Sequence, residues 1–184
     1  MKKITLILII GLISQMTIAQ CPQTNEFIGD YNLVQVTPVH PENTVQSFNN
    51  QVVSLSVGAS DDKRVFSALY VEGLGIANQT AMDVSFSMDC NTEDVIVDNA
   101  LDTGLTCDQN TNITLGPAST TGDFDQNDDT SFTLILSEYV DDGGCGVATP
   151  LVTEFTLTKS NCNAPQNVTV NNITNSTADL SWSD

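Results

Sequence analysis

Few residues of this 184-residue chain have the type and spacing that chemistry needs. The best-spaced polar run is Asp123-Phe124-Asp125-Gln126-Asn127-Asp128-Asp129. Asp123, Asp125 and Asn127 stand at alternate positions, as in the first half of a calcium loop, where hard oxygens gather around a divalent cation. The match ends there. The sixth position is Asp128 rather than Gly and the twelfth is Leu134 rather than a bidentate Glu, which excludes an EF-hand. The same spacing describes an acidic hairpin loop leading into a strand over 131–138, and that is the stronger expectation. Calcium at Asp123, Asp125 and Asn127 is the lesser one, and no other cofactor is expected. Asp141-Asp142-Gly143-Gly144 reads as a turn.

The second reactive set is the cysteines, Cys21, Cys90, Cys107, Cys145 and Cys162. Zinc is a poor fit, with no close Cys pair and only one His. In an exported chain they read as disulfides. Sequence alone does not settle connectivity. The expected pair is Cys90 with Cys107, which closes a local loop between two predicted strands. Cys21 with Cys145 comes second, and Cys162 is left over. A loop of roughly 15 residues closed in this way adds about 3 kcal/mol in the chain-entropy model.

Nucleophilic catalysis has no support. His40 is the single histidine and lies in Pro38-Val39-His40-Pro41, and no G-x-S-x-G stands in the chain. A carboxylate pair for glycoside hydrolysis is no signal in a chain with 23 acids. Gly73-Leu74-Gly75 lacks the third glycine and the helix of a dinucleotide loop. The expectation is a chain that is not an enzyme.

The elements that position these residues follow a period of two. Runs at 31–37, 52–57, 65–72, 82–88, 95–97, 112–115, 131–138 and 151–158 are apolar and β-rich, most of them alternating with Ser, Thr or Asp. Gly, Asn, Asp and Pro clusters separate them. That is the pattern of half-buried antiparallel strands. Residues 74–82 hold at most one helical turn. About eight short strands predict an all-β antiparallel β-sandwich or jelly roll. Phe66, Tyr70, Phe86, Phe132 and Phe155 fall on core parity, which leaves Phe48 and Phe124 as loop aromatics that a sugar could stack on.

Residues 1–19 read as a cleavable signal peptide. Lys2 and Lys3 precede the apolar run Ile4–Ile13, and Thr17 and Ala19 take the −3 and −1 positions. The run is too short for a spanning helix. Gln20 before Cys21 is wrong for lipoprotein processing, so Cys21 is expected to be an ordinary cysteine and the mature chain to be free of membrane insertion. With both leader lysines gone, three cations stand against 23 acids, a net charge of −20 with His neutral. Such a chain is no partner for nucleic acid or anionic headgroups. The expected location is secreted or cell surface, and the expected partner is an extracellular protein or glycan.

Composition changes near 160. After Ser160-Asn161-Cys162-Asn163-Ala164-Pro165, the stretch with Pro165, Val168, Val170, Ile173, Leu180 and Trp182 resembles the opening of a fibronectin type III domain. The resemblance covers about 20 residues of a domain that needs roughly 90–100. It implies strand A at Val168 and Val170, strand B at Leu180 and Trp182, and a longer parent protein. Residues 20–162, with VVSLSVG and VIVDNALDTGLTC, also resemble N-terminal modules of secreted multidomain proteins of Bacteroidota-type bacteria. The expected organisation is a signal peptide at 1–19, a β-sandwich at 20–162 and an incomplete fibronectin type III start at 163–184. The expected role is non-catalytic, in adhesion, structure or interaction. The alternative is a carbohydrate-binding or accessory module of an exported hydrolase.

Overall fold

The computed structural model describes Pro22, residues 25–36, 46–106, 111–138 and 151–160, and the backbone of two strands at 166–171 and 179–183. The described chain is antiparallel β with no α-helix. The strands are β1 (Gly29–Gln35), β2 (Gln51–Val57), β3 (Lys63–Ala68), β4 (Met82–Asp89), β5 (Asp94–Val97), β6 (Leu101–Thr106), β7 (Asn112–Pro117), β8 (Gly122–Asp125), β9 (Asp128–Glu138), β10 (Leu151–Lys159), β11 (Gln166–Asn171) and β12 (Asp179–Ser183). The stretch 74–82, expected to hold at most one helical turn, contributes only Leu74 to a 3-10 turn at Glu72–Leu74.

The strand order is β10-β1-β2-β3-β4-β5-β8-β9-β7-β6, and β9 also pairs with β10. Eight strands therefore close into a barrel, and the expected two-sheet sandwich is corrected. A sandwich would leave unpaired seams between its sheets, and here both seams are hydrogen-bonded. At the first, β2 turns into β3 with Ser56 opposite Val65 and Val57 opposite Arg64. At the second, Asp94 and Val95 of β5 face Asp123 and Gly122 of β8. Gly122 lets β8 lie close against β9: a Cβ there would sit 2.2 Å from the Thr133 carbonyl oxygen.

The long strand β9 organises the wall. One edge carries β10 from Leu151 opposite Glu138 to Thr158 opposite Ser131. The other edge carries β8 near its start, with Phe124 opposite Phe132, and β7 near its end, with Leu115 opposite Glu138. Next along that side, β5 and then β6 run in the same direction, β5 pairing with β8 and β6 with β7.

Alternation places one face of each strand inside. Tyr31, Leu33, Val53, Leu55, Phe66, Val84, Phe86, Leu134, Leu136, Phe155 and Leu157 are buried and form a continuous apolar core. Apolar burial at about 25 cal/mol per Å² is the main stabilising term. Edge-to-face ring pairs add to it, including Tyr31 with Phe132 at 5.6 Å and Phe48 with Tyr70 at 5.9 Å. After the barrel, β11 and β12 pair as a separate two-stranded antiparallel sheet.

Candidate functional site

The acidic run forms a hairpin. Asp123 and Asp125 lie on the exposed face of β8, Gln126 and Asn127 make the turn, and Asp128 opens β9 opposite Asp125. The loop's own donors occupy its carboxylates. Asp125 Oδ1 accepts the Asn127 backbone N–H at 2.9 Å and its side-chain amide at 3.2 Å. Asp128 Oδ1 accepts Thr130 N–H at 3.0 Å, and the Thr130 bonds hold the Asp128 carboxyl below its ordinary range. Asp123 accepts the Thr133 hydroxyl. Among the described residues no three His, Cys, Asp or Glu side chains are grouped to hold a metal ion. Asp123, Asp125 and Asn127 thus stand close in the chain on a self-capped turn.

The more informative groups are two charges that the sequence reading did not single out. Both point into the barrel, one at each end.

Arg64, at the start of β3, is fully buried. Its Nε and one terminal nitrogen donate to the Glu26 carbonyl at 2.9 and 2.8 Å. The other terminal nitrogen donates to the carbonyls of Asp61 and Lys63, both at 2.8 Å. Burial lowers its pKa, opposed by the charges of Tyr31, Glu26, Asp61 and Asp62. The guanidinium fork, with donors in a fixed plane, ties three separate carbonyls together. It thereby pins the segment Asn25–Phe27 at this mouth. Phe27 follows with φ 51, a left-handed conformation uncommon for a bulky residue. Its ring packs edge-on against Phe124 at 5.4 Å and Phe132 at 5.9 Å. Tyr31 donates to the Asp129 carbonyl at 2.6 Å, and burial followed by the Asp129 charge pushes its phenol well up. A polar cavity of about 230 Å³ lies outside this plug, between Asn25–Phe27 and Gln126–Asp129.

Glu138 closes the other end and is 1% exposed. Ser47 and Thr153 hydroxyls donate to Oε1 at 2.5 and 2.9 Å, and the Tyr70 hydroxyl donates to Oε2 at 2.5 Å. Burial raises its pKa, and the three hydroxyl bonds oppose that rise only in part. A carboxyl raised in this way often marks a reactive group. Here both oxygens are engaged from three different segments, so the geometry is that of a strut. Alternation would have found both charges, since Arg64 shares parity with Phe66 and Ala68, and Glu138 with Leu134 and Leu136.

The aromatic platform is corrected. Phe48 and Phe124 are 1% and 5% exposed, and Phe48 packs with Phe66, Tyr70 and Phe155. Neither ring presents a face to a sugar. Cys90 is disulfide-bonded. Cys21, Cys107, Cys145, Cys162 and His40 lie outside the described residues, as do residues 1–19 and the side chains of 163–184. The expected pairs Cys90–Cys107 and Cys21–Cys145 therefore fall there too. Set beside known proteins, the chain matches no family model, no curated protein and no solved structure.

Proposed function

We propose that this chain is a non-catalytic extracellular module at the front of an exported multidomain protein, acting in adhesion or structure through its outer surface. The observation that carries the reading is how the interior is used. Every Phe and Tyr of the described barrel is buried, and the two inward charges are engaged by backbone carbonyls and hydroxyls of the barrel's own ends. The described groups that chemistry would call on serve the fold, so contact with a partner falls to the outer wall and loops. The leader pattern at 1–19 and the cysteine content support export. The pairing of β11 with β12 supports a fibronectin type III start after the barrel, with Pro165 before strand A and Trp182 in strand B.

The partner class favoured is an extracellular protein, because no described aromatic is available to stack on a glycan. The purified exported chain is tested on immobilised extracellular proteins, on insoluble polysaccharides, and with chromogenic glycosides and esters. Saturable retention on protein alone is expected. Turnover of any chromogenic substrate, or retention on a polysaccharide, defeats the reading.

A further inference from the structure

We propose that Cys90 is bonded to Cys21. The strand registers carry this. Cys90 follows Asp89, which faces Asp94, which faces Asp123. Asp123 sits beside Thr133 of β9, to whose Oγ1 its N–H donates at 2.8 Å. Cys107 follows Thr106, whose ladder partner is Asn112, three residues beyond Leu115, which faces Glu138. Along β9 and β7 the two levels are therefore about eight residues apart, roughly 26 Å at about 3.3 Å per residue. Cys107 lies one peptide from Thr106, about 3.8 Å. Bridged cysteines need Cα atoms within about 7 Å. The registers put Cys107 out of reach of Cys90.

The N-terminal segment is at the right end. The Met88 N–H donates to the Asp62 carbonyl at 2.9 Å, and Arg64 ties the neighbouring Asp61 carbonyl to that of Glu26. On the other flank of Cys90, the Glu93 carbonyl accepts the N–H of Phe124, whose ring packs on Phe27. One side of the Cys90 turn thus connects to Glu26 through Asp61–Asp62 and Arg64, and the other connects to Phe27 through Phe124. Cys21 is five residues before Glu26, within about 17 Å of chain. Its neighbour Pro22 is buried.

The other cysteines fit less well. Cys162 follows β10, which stands opposite β4 in the ring of eight, whereas Glu26 is bonded to β3, the strand beside β4. Cys145 lies between Glu138 and Leu151, both at the far end, and would need almost fully extended chain on both flanks. In forming the bond, the two thiols lose two protons and two electrons to a dithiol oxidase of the exporting compartment, whose own disulfide is reduced. A Cys21 sulfur bonded to Cys90 is also unavailable for a lipid thioether.

A single digest tests the pairing. Cleavage after Glu26, Glu72, Glu93, Glu138 and Glu154 places the five cysteines on five different fragments. The full chain, exported by a bacterial host, is alkylated at acidic pH, cut with glutamyl endopeptidase without reduction, and mapped by mass spectrometry. The expected product joins the fragment ending at Glu26 to Gly73–Glu93 and separates on reduction. In a companion measurement, Cys21→Ser frees a thiol on Gly73–Glu93, whereas Cys107→Ser leaves that fragment blocked. A Gly73–Glu93 fragment joined to any other fragment, or found reduced in the parent chain, overturns the proposal.

Discussion

Replacing Arg64 by Met should cost this barrel a large part of its stability, for reasons that can be followed bond by bond. The guanidinium makes four hydrogen bonds to the carbonyls of Glu26, Asp61 and Lys63, and it is fully buried. Met fills similar space with no donor. Three carbonyls then lose their charged partner at a mouth that Phe27 covers. Each buried orphan costs about 1–3 kcal/mol, less whatever water recovers. Removing the buried charge returns part of this, because its desolvation was unfavourable to begin with. The net expectation is a loss of about 3–5 kcal/mol, against a total of roughly 5–15 kcal/mol for a domain. At roughly 3 °C per kcal/mol for a chain of this size, the melting temperature should fall by about 10–15 °C. Arg64→Lys should recover less than half, since one ammonium cannot span the three carbonyls. Circular dichroism melts of the oxidised chain at pH 7 supply the numbers, and the rate of glutamyl endopeptidase cleavage after Glu26 reports the plug itself. If Arg64→Met melts within about 3 °C of the parent, or if cleavage after Glu26 is no faster than before, the latch does not exist as described.

The remaining predictions concern the other closures. Glu138 has a pKa raised by burial, so its stabilising contribution is complete below the unfolded carboxyl pKa of about 4.3 and is lost as pH climbs through the folded value. Glu138→Gln keeps the shape without the charge, and its stability relative to the parent should rise steadily from pH 4.5 to 7 in urea titrations; parallel profiles would refute this. Glu138→Ala leaves three hydroxyls without their acceptor and should cost about 2–4 kcal/mol at pH 5. Gly122→Ala drives a Cβ into the Thr133 carbonyl, with backbone on both sides, and should cost about 1–3 kcal/mol; a change under about 0.5 kcal/mol would show that the β8–β9 approach is looser than described. Because the hairpin's own amides and the Thr133 hydroxyl engage Asp123, Asp125 and Asp128, calcium should leave the melting temperature where a chelator leaves it, whereas a site filled to 100 times its Kd would add about 2.7 kcal/mol.

Strand parity carried most of the fold into view, and its failures have definite causes. Eight strands were legible because apolar residues alternate along them, for example Met82, Val84, Phe86 and Met88 in β4. The strands β6 (LDTGLT) and β8 (GDFD) were not, because they hold their places by backbone pairing and by contacts of single residues. Thr103 is buried with its hydroxyl on the Ile113 carbonyl, and Gly122 is needed for the absence of a side chain. Closure was invisible for a different reason. Alternation reports which face of a strand is buried and says nothing of whether the last strand pairs with the first. The seams at Ser56–Val65 and Asp94–Asp123 are only two residue pairs each, too short to leave a pattern.

The two inward charges show where such reading can be improved. Neither Arg64 nor Glu138 was singled out from the sequence, yet parity puts both inside with their apolar neighbours, and both are buried. Both stand at strand ends, not mid-strand. At a barrel mouth the chain turns, and turns expose carbonyls and bring in hydroxyl-bearing side chains. Arg64 meets the carbonyls of Glu26, Asp61 and Lys63, and Glu138 meets the hydroxyls of Ser47, Tyr70 and Thr153. The same charges two residues further in would stand in the places of Phe66 and Leu136, within the apolar core, where losing these partners would cost several kcal/mol each. A charged residue at inward parity on the last position of an apolar alternation therefore identifies a barrel end, and the polar groups that satisfy it identify the segments folded across that end.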